Sequence, residues 1–127
     1  MARPQPRPTD AELAILRVLW ERGPSTVRQV HEALADRRET GYTTTLKLMQ
    51  IMADKGLVKR NETARTHVYS AIAGEEQTQK QLVRDLVDRA FGGSAAQLVL
   101  RALSAEDATD AELKQIRKLI DDYREKR

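Results

Sequence analysis

The run Gly41-Tyr42-Thr43-Thr44-Thr45-Leu46-Lys47 carries the most specific chemistry in the sequence. It sets short hydroxyl side chains and backbone amides at the start of a helix. Such amides hold phosphate, and a threonine there both donates to a phosphate and touches a thymine methyl. Lys47 follows Thr43 by about one turn and reaches the same side of the helix. Thr44 and Lys47, three apart, also share a face, directed away from the side bearing Met49 and Met52. A threonine at such a place also serves as a simple cap, and for any one of the three both readings stand. Ser25-Thr26 opens an earlier helix with hydroxyls and amides that either cap it or hold a phosphate. Arg65, at a hairpin tip with Arg60 or Lys59 behind it, is placed to reach a nucleic-acid backbone or minor groove.

Catalytic chemistry has no comparable foothold. The sequence contains no cysteine, which removes disulfides and thiolate catalysis and fits a reducing compartment. His31 and His67 read as structural or surface side chains, with no second histidine or carboxylate at the spacing of a metal site or a base and nucleophile pair. Gly92-Gly93 falls between helices and punctuates them, whereas a phosphate loop follows a strand. These features describe a protein that is not an enzyme and needs neither cofactor nor metal.

The formal charge is only +3, with an isoelectric point near 9.4, so its distribution matters more than its total. Residues 1–73 hold twelve Lys and Arg against eight Asp and Glu, whereas residues 74–127 hold ten against eleven. Between 37 and 67, Arg37, Arg38, Lys47, Lys55, Lys59, Arg60 and Arg65 meet only Glu39, Asp54 and Glu62. A basic face turned toward an acidic polymer accounts for this excess; an ordinary solvated surface is the alternative. No apolar run approaches the roughly 20 residues of a bilayer span, and residues 1–8 lack the apolar stretch of a signal peptide. The expected location is the cytoplasm.

With 127 residues, 4% aromatic and 32% charged, the chain reads as mainly α with a small β-hairpin. Residues 1–8, rich in proline and arginine, form a flexible arm. Thr9-x-x-Glu12 is a capping box for a helix to residue 22, with Leu13, Leu16 and Trp20 on its apolar stripe and Ile15 and Leu19 beside them. Gly23-Pro24 breaks it, and Thr26-x-x-Gln29 caps a second helix striped by Val27, Val30 and Leu34. A third helix spans 43–55 and ends at Gly56; Leu46, Met49 and Met52, with Leu48 and Ile51 alongside, make its buried side. Alternation through 57–61 and 66–70 around the polar tip 62–65 gives two strands. Three short helices followed by a hairpin define a winged helix-turn-helix over 9–73.

Residues 74–127 form a helical segment. One helix covers 75–91; Ser94-x-x-Gln97 caps a second and Thr109-x-x-Glu112 a third. The string Thr-Asp-Ala-Glu-Leu occurs at both 9 and 109, one capping solution used twice. About 50 residues cannot bury three apolar stripes alone. Packing against a second copy through Leu82, Leu86, Leu98, Leu113, Ile116 and Ile120 solves this, and the alternative is folding back on the first domain.

The order and spacing of these segments resemble the penicillinase-repressor family of winged-helix transcriptional regulators, which includes the BlaI, MecI and CopY repressors. The resemblance is carried by Thr9-Asp10-Ala11-Glu12-Leu13 through Leu19-Trp20, by Gly23-Pro24-Ser25-Thr26-Val27, and above all by Tyr42-Thr43-Thr44-Thr45-Leu46 continuing to Lys55-Gly56-Leu57-Val58. Arg65-Thr66-His67-Val68-Tyr69 and Phe91-Gly92-Gly93 also match. It implies a homodimer on a palindromic double-stranded operator, repressing resistance or homeostasis genes such as that of a β-lactamase. Recognition would fall on Thr43, Thr44 and Lys47, with Arg65 on the wing and Ser25 and Thr26 on phosphates. In the β-lactam branch an inducing protease cuts within the dimerisation segment. The matching stretch here, Leu98–Leu103, has Arg101-Ala102 where that branch has Asn-Phe. The copper-responsive branch uses a C-terminal cysteine cluster, which this chain lacks. The alternative function is a winged-helix module that binds protein through its third helix.

Overall fold

The computed structural model describes residues 7–35, 40–105 and 107–126. They divide into two compact units, 1–82 and 83–127, with the division inside a helix rather than before it. Arg37 and Arg38 of the basic stretch, and most of the N-terminal arm, lie outside the described residues.

In the first unit, α1 (Asp10–Arg22) starts at the expected box: the Thr9 hydroxyl accepts from the Glu12 amide at 3.2 Å and the Glu12 carboxylate accepts from the Thr9 amide at 2.9 Å. Its buried face is Glu12, Ile15, Leu16, Val18 and Leu19. The stripe is therefore rotated from the expected one, and Leu13 and Trp20 sit half-buried on its flanks. Trp20 still anchors the fold, since its indole Nε1 donates to the Ala73 carbonyl at 3.0 Å. Gly23, at φ 84°, turns the chain where a side chain would be strained.

Ser25–Thr26 then forms a short strand, β1, that sequence reading did not anticipate. The extended backbone of a helix N-cap is already strand-like, and here it pairs antiparallel with β3 (Val68–Ala71). With β2 (Val58–Asn61) on the other side, the sheet has three strands in the order β1-β3-β2. The hairpin register sets Arg60 opposite Tyr69 and Asn61 opposite Val68. Asn61 shapes the tip by accepting from the Thr63 amide at 3.0 Å and the Thr63 hydroxyl at 2.7 Å, a local turn that competes with the ladder and ends it.

Helices α2 (Val27–Leu34) and α3 (Tyr42–Lys55) complete the unit. Val27, Val30 and Leu34 from α2 meet Met49 and Met52 from α3, and the core continues through Leu57, Val58 and Tyr69. Gly56 takes the left-handed conformation at φ 83°, and Leu57 donates to the Met52 carbonyl at 2.9 Å, so the helix ends where a glycine permits it. Ile51 departs from expectation. It is 37% exposed, because its position lies more than a quarter-turn round from the row Thr45, Met49 and Met52 that the core takes.

In the second unit, α4 (Glu75–Ala90), which begins in the first, ends at Gly92 and Gly93, both at positive φ. Then come α5 (Ala95–Ala105), with the Ser94 hydroxyl accepting from the Gln97 amide at 3.2 Å, and α6 (Asp110–Glu125), with a complete Thr109–Glu112 capping box. Among the described residues of this unit, Val87 is the buried large hydrophobic one. Leu86, Val99, Leu100, Leu103, Leu113, Leu119, Ile120 and Tyr123 are exposed, and Leu98 and Ile116 are half-buried. Leu82 belongs to the first unit, where it shares a small crevice with Gly56, Leu57 and Thr78.

Candidate nucleic-acid interface

Helix α3 begins at Gly41, which takes the N-cap position and makes no side-chain cap hydrogen bond. None of the three threonines caps it. Thr45 lies a turn inside, is 1% exposed, and its hydroxyl donates back to the Gly41 carbonyl at 3.3 Å. That removes Thr45 from the surface and corrects its assignment as a contact residue. Buried Thr45, Met49 and Met52 define the inner side of α3, and at 3.6 residues per turn the row opposite them is Thr43, Lys47 and Gln50. Thr43, Thr44, Lys47 and Gln50 are all exposed, with Thr44 on the shoulder beside Ile51.

Ser25 needs the same correction. It is 3% exposed and its hydroxyl donates to the Gly23 carbonyl at 2.8 Å, closing the turn rather than facing a ligand. Thr26 remains accessible at the mouth of α2. Its hydroxyl accepts from the Gln29 amide at 3.2 Å, while the Gln29 side chain accepts from the Thr26 amide at 2.9 Å. Capping uses the hydroxyl's oxygen and leaves its proton to donate.

Between α2, α3 and the hairpin runs an open cleft whose walls include Thr26, Arg28, Tyr42, Gln50, Arg65 and His67. Tyr42 stands at its edge, 42% exposed, with the Arg28 guanidinium 5.7 Å above its ring and His31 edge-on at 5.9 Å. These contacts fix the first residue of α3 against α2 by aromatic and cation–π attraction, where a side-chain cap would otherwise do so. Arg60 also lines the cleft, with one guanidinium nitrogen, Nη2, engaged locally. Its guanidinium pairs with the Glu62 carboxylate, and the neighbouring Tyr69 hydroxyl and Glu62 charge raise its pKa above the ordinary arginine value. Lys55, counted from sequence in the basic excess, points elsewhere: its ammonium meets both Glu12 carboxylate oxygens at 3.0 Å. Lys47 and Arg65 form no ion pair among the described residues.

The predicted residues thus separate into those that the fold gathers on one surface (Thr26, Tyr42, Thr43, Thr44, Lys47, Arg60, Arg65) and those it buries (Ser25, Thr45). Sequence reading missed Arg28 and Gln50. Gln50 was discoverable, because it lies seven after Thr43 and three after Lys47 on the same helical row. Arg28 was not, since its place depends on how α2 meets α3. Among the described residues no cluster of His, Asp or Glu could hold a metal ion, and no helix is long and apolar enough to cross a membrane.

Three helices closed by a three-stranded sheet whose hairpin stands beside an exposed face of α3 make this a winged-helix protein. The family model for the penicillinase repressor matches residues 8–122, and the chain belongs to that family, one of transcriptional repressors and not of enzymes. It is 38% identical over 92 residues to the transcriptional regulator BlaI of Mycobacterium tuberculosis, covering 72% of this chain and 67% of that protein. It is 20% identical over 126 residues to the penicillinase repressor of Staphylococcus aureus, covering 99% and 100%. Two solution structures share the fold over part of the chain. The DNA-binding domain of the repressor BlaI superposes with a TM-score of 0.51 at 22% identity, over 58% of this chain and 90% of that one. Bacillus licheniformis BlaI, in its monomeric form with the blaP half-operator, gives a TM-score of 0.51 at 21% identity, over 59% and 92%.

Proposed function

We propose that the chain represses transcription by binding double-stranded DNA as a homodimer on a palindromic operator, with α3 in the major groove and the hairpin on the adjoining backbone. The carrying observation is the outward row of α3, flanked by an arginine-lined cleft that the wing closes on one side. Neutral and cationic donors on a helix face, backed by arginines from two other elements, suit base edges with phosphates on either side. Thr26, Tyr42, Arg60 and Arg65 take the backbone; Thr43, Thr44 and Lys47 face the groove. The half-operator bound by the Bacillus licheniformis relative supports a two-part site, each half taken by one protomer.

The dimer forms through residues 74–127, where large apolar side chains stand exposed on all three helices. Leu86, Leu98, Leu113, Ile116 and Ile120 form its seam, with Leu82 at the border of the first unit. The protein acts in the cytoplasm on resistance or homeostasis genes such as that of a β-lactamase. An inducing protease would act at Arg101-Ala102, exposed in the middle of α5, only after that helix unwinds, because proteases bind extended backbone.

Mapping the fragments of its own genome that the full-length protein protects from nuclease tests the proposal. The expected result is a few protected sites with two-fold symmetry whose half-sites lie about one helical turn, or a multiple of it, apart. Protection spread evenly over all DNA, or none, would refute it.

A further inference from the structure

We propose that Gln50 is a specificity-determining residue of this interface, reading a base edge from the cleft between α3 and the hairpin. The inference rests on the DNA-binding function proposed above and adds to it a residue whose chemistry differs from its neighbours'. Gln50 is exposed and ends the row Thr43, Lys47, Gln50 that faces directly away from the core. It also lines the cleft, so it lies where the α3 surface meets a wall bearing Arg65 and His67 and an edge bearing Arg28 and Tyr42. Arginines on both sides bring a phosphate strand to this place, whatever its sequence. They cannot distinguish base pairs there; a neutral group with both a donor and an acceptor can.

The Gln50 carboxamide makes no hydrogen bond to another described side chain, so both ends are available. A donor and acceptor at one end of a side chain match adenine, whose major-groove edge offers N7 as acceptor and the N6 amino group as donor. A phosphate offers only acceptors and would leave the carboxamide oxygen unpaired. The amide therefore gains most against an A·T pair, while Lys47, one turn before it, serves guanine or phosphate equally well. Glutamate at the same position would only accept, and its match in the groove is the cytosine N4 amino group.

A library of random duplexes enriched on the full-length wild-type protein supplies a preferred sequence, and every single base-pair change in one half-site is then titrated at one fixed salt concentration. Wild type, Gln50→Ala and Gln50→Glu are compared, each beside a melting curve. Gln50→Ala should lose on the order of 10- to 100-fold discrimination at one base pair per half-site, with affinity for random duplex changed less and melting temperature unchanged. Gln50→Glu should shift the preferred base at that same pair toward cytosine. If both variants keep the wild-type preference at every position, or weaken all sequences alike, Gln50 does not read a base. If the wild-type protein enriches no sequence, the DNA-binding function itself fails, and the inference falls with it.

Discussion

At the scale of single residues, Glu12 ties the start of α1 to the end of α3. Its carboxylate accepts from the Thr9 amide at 2.9 Å and from the Lys55 ammonium at 3.0 Å, while the residue is 1% exposed. Burial alone raises a carboxyl's pKa, but the Thr9 amide and the Lys55 charge outweigh it and hold Glu12 below its ordinary 4.5. A group depressed in the folded state adds stability above its unfolded pKa and loses it as pH falls through the folded value. Denaturant titrations at neutral pH and at about pH 3 should show wild type losing more stability on acidification than Glu12→Gln. Lys55→Ala leaves the buried carboxylate without its cation and should cost about 1–3 kcal/mol, yet leave the salt dependence of DNA binding unchanged, since Lys55 faces Glu12. Arg65→Ala should do the reverse. If a dimer neutralises about six phosphates, the slope of log affinity against log salt is near −5, and losing Arg65 should flatten it with no change in melting temperature. The cap formed by Glu12 was legible in Thr9-x-x-Glu12. Its pairing with Lys55, 43 positions away, was not, because local spacing says nothing about which helix ends meet. The same holds for Ser25 and Thr45, whose hydroxyls look available in sequence until a turn and a core enclose them.

At the scale of elements, boundaries followed from punctuation and faces from packing. Gly56 ended α3 as the sequence predicted, and at φ 83° it is a position where a side chain is strained although open space surrounds it. Gly56→Ala should destabilise the first unit by about 1–2 kcal/mol, which thermal unfolding reads directly. The start of α3 behaves differently. Because Gly41 is the N-cap and Tyr42 is held by Arg28 and His31, Thr43 and Thr44 have no capping duty. Removing either hydroxyl should leave the melting temperature unchanged, whereas a lost cap costs about 1 kcal/mol; a calorimetric scan separates the two. The hairpin was readable from its alternation, but the third strand was not. Two residues carry no period, and Ser25–Thr26 becomes a strand only because β3 lies alongside it.

At the scale of the whole molecule, the sequence shows its helices and their stripes, and the exposed Leu113, Leu119, Ile120 and Tyr123 of α6 tell why the stripes matter. A face of that kind is left open by a segment too short to enclose it, which is the ground for proposing that a second copy closes it. Ile120→Asp should turn a dimer into a monomer in sedimentation at micromolar concentration and weaken operator binding with it, since each half-site then holds its protomer alone. A wild-type protein already monomeric there would remove the dimer from the account. The central claim is that the outward row of α3 reads DNA sequence, and one ratio tests it most directly. That ratio is the affinity for the preferred duplex over the affinity for random duplex, measured at one salt concentration for wild type, Thr43→Ala and Lys47→Ala. The account predicts that each substitution lowers the ratio by the equivalent of about 1–3 kcal/mol and changes random-duplex binding less. A ratio equal to wild type in both variants would contradict it, and recognition would then lie in the shape of the operator or in other residues.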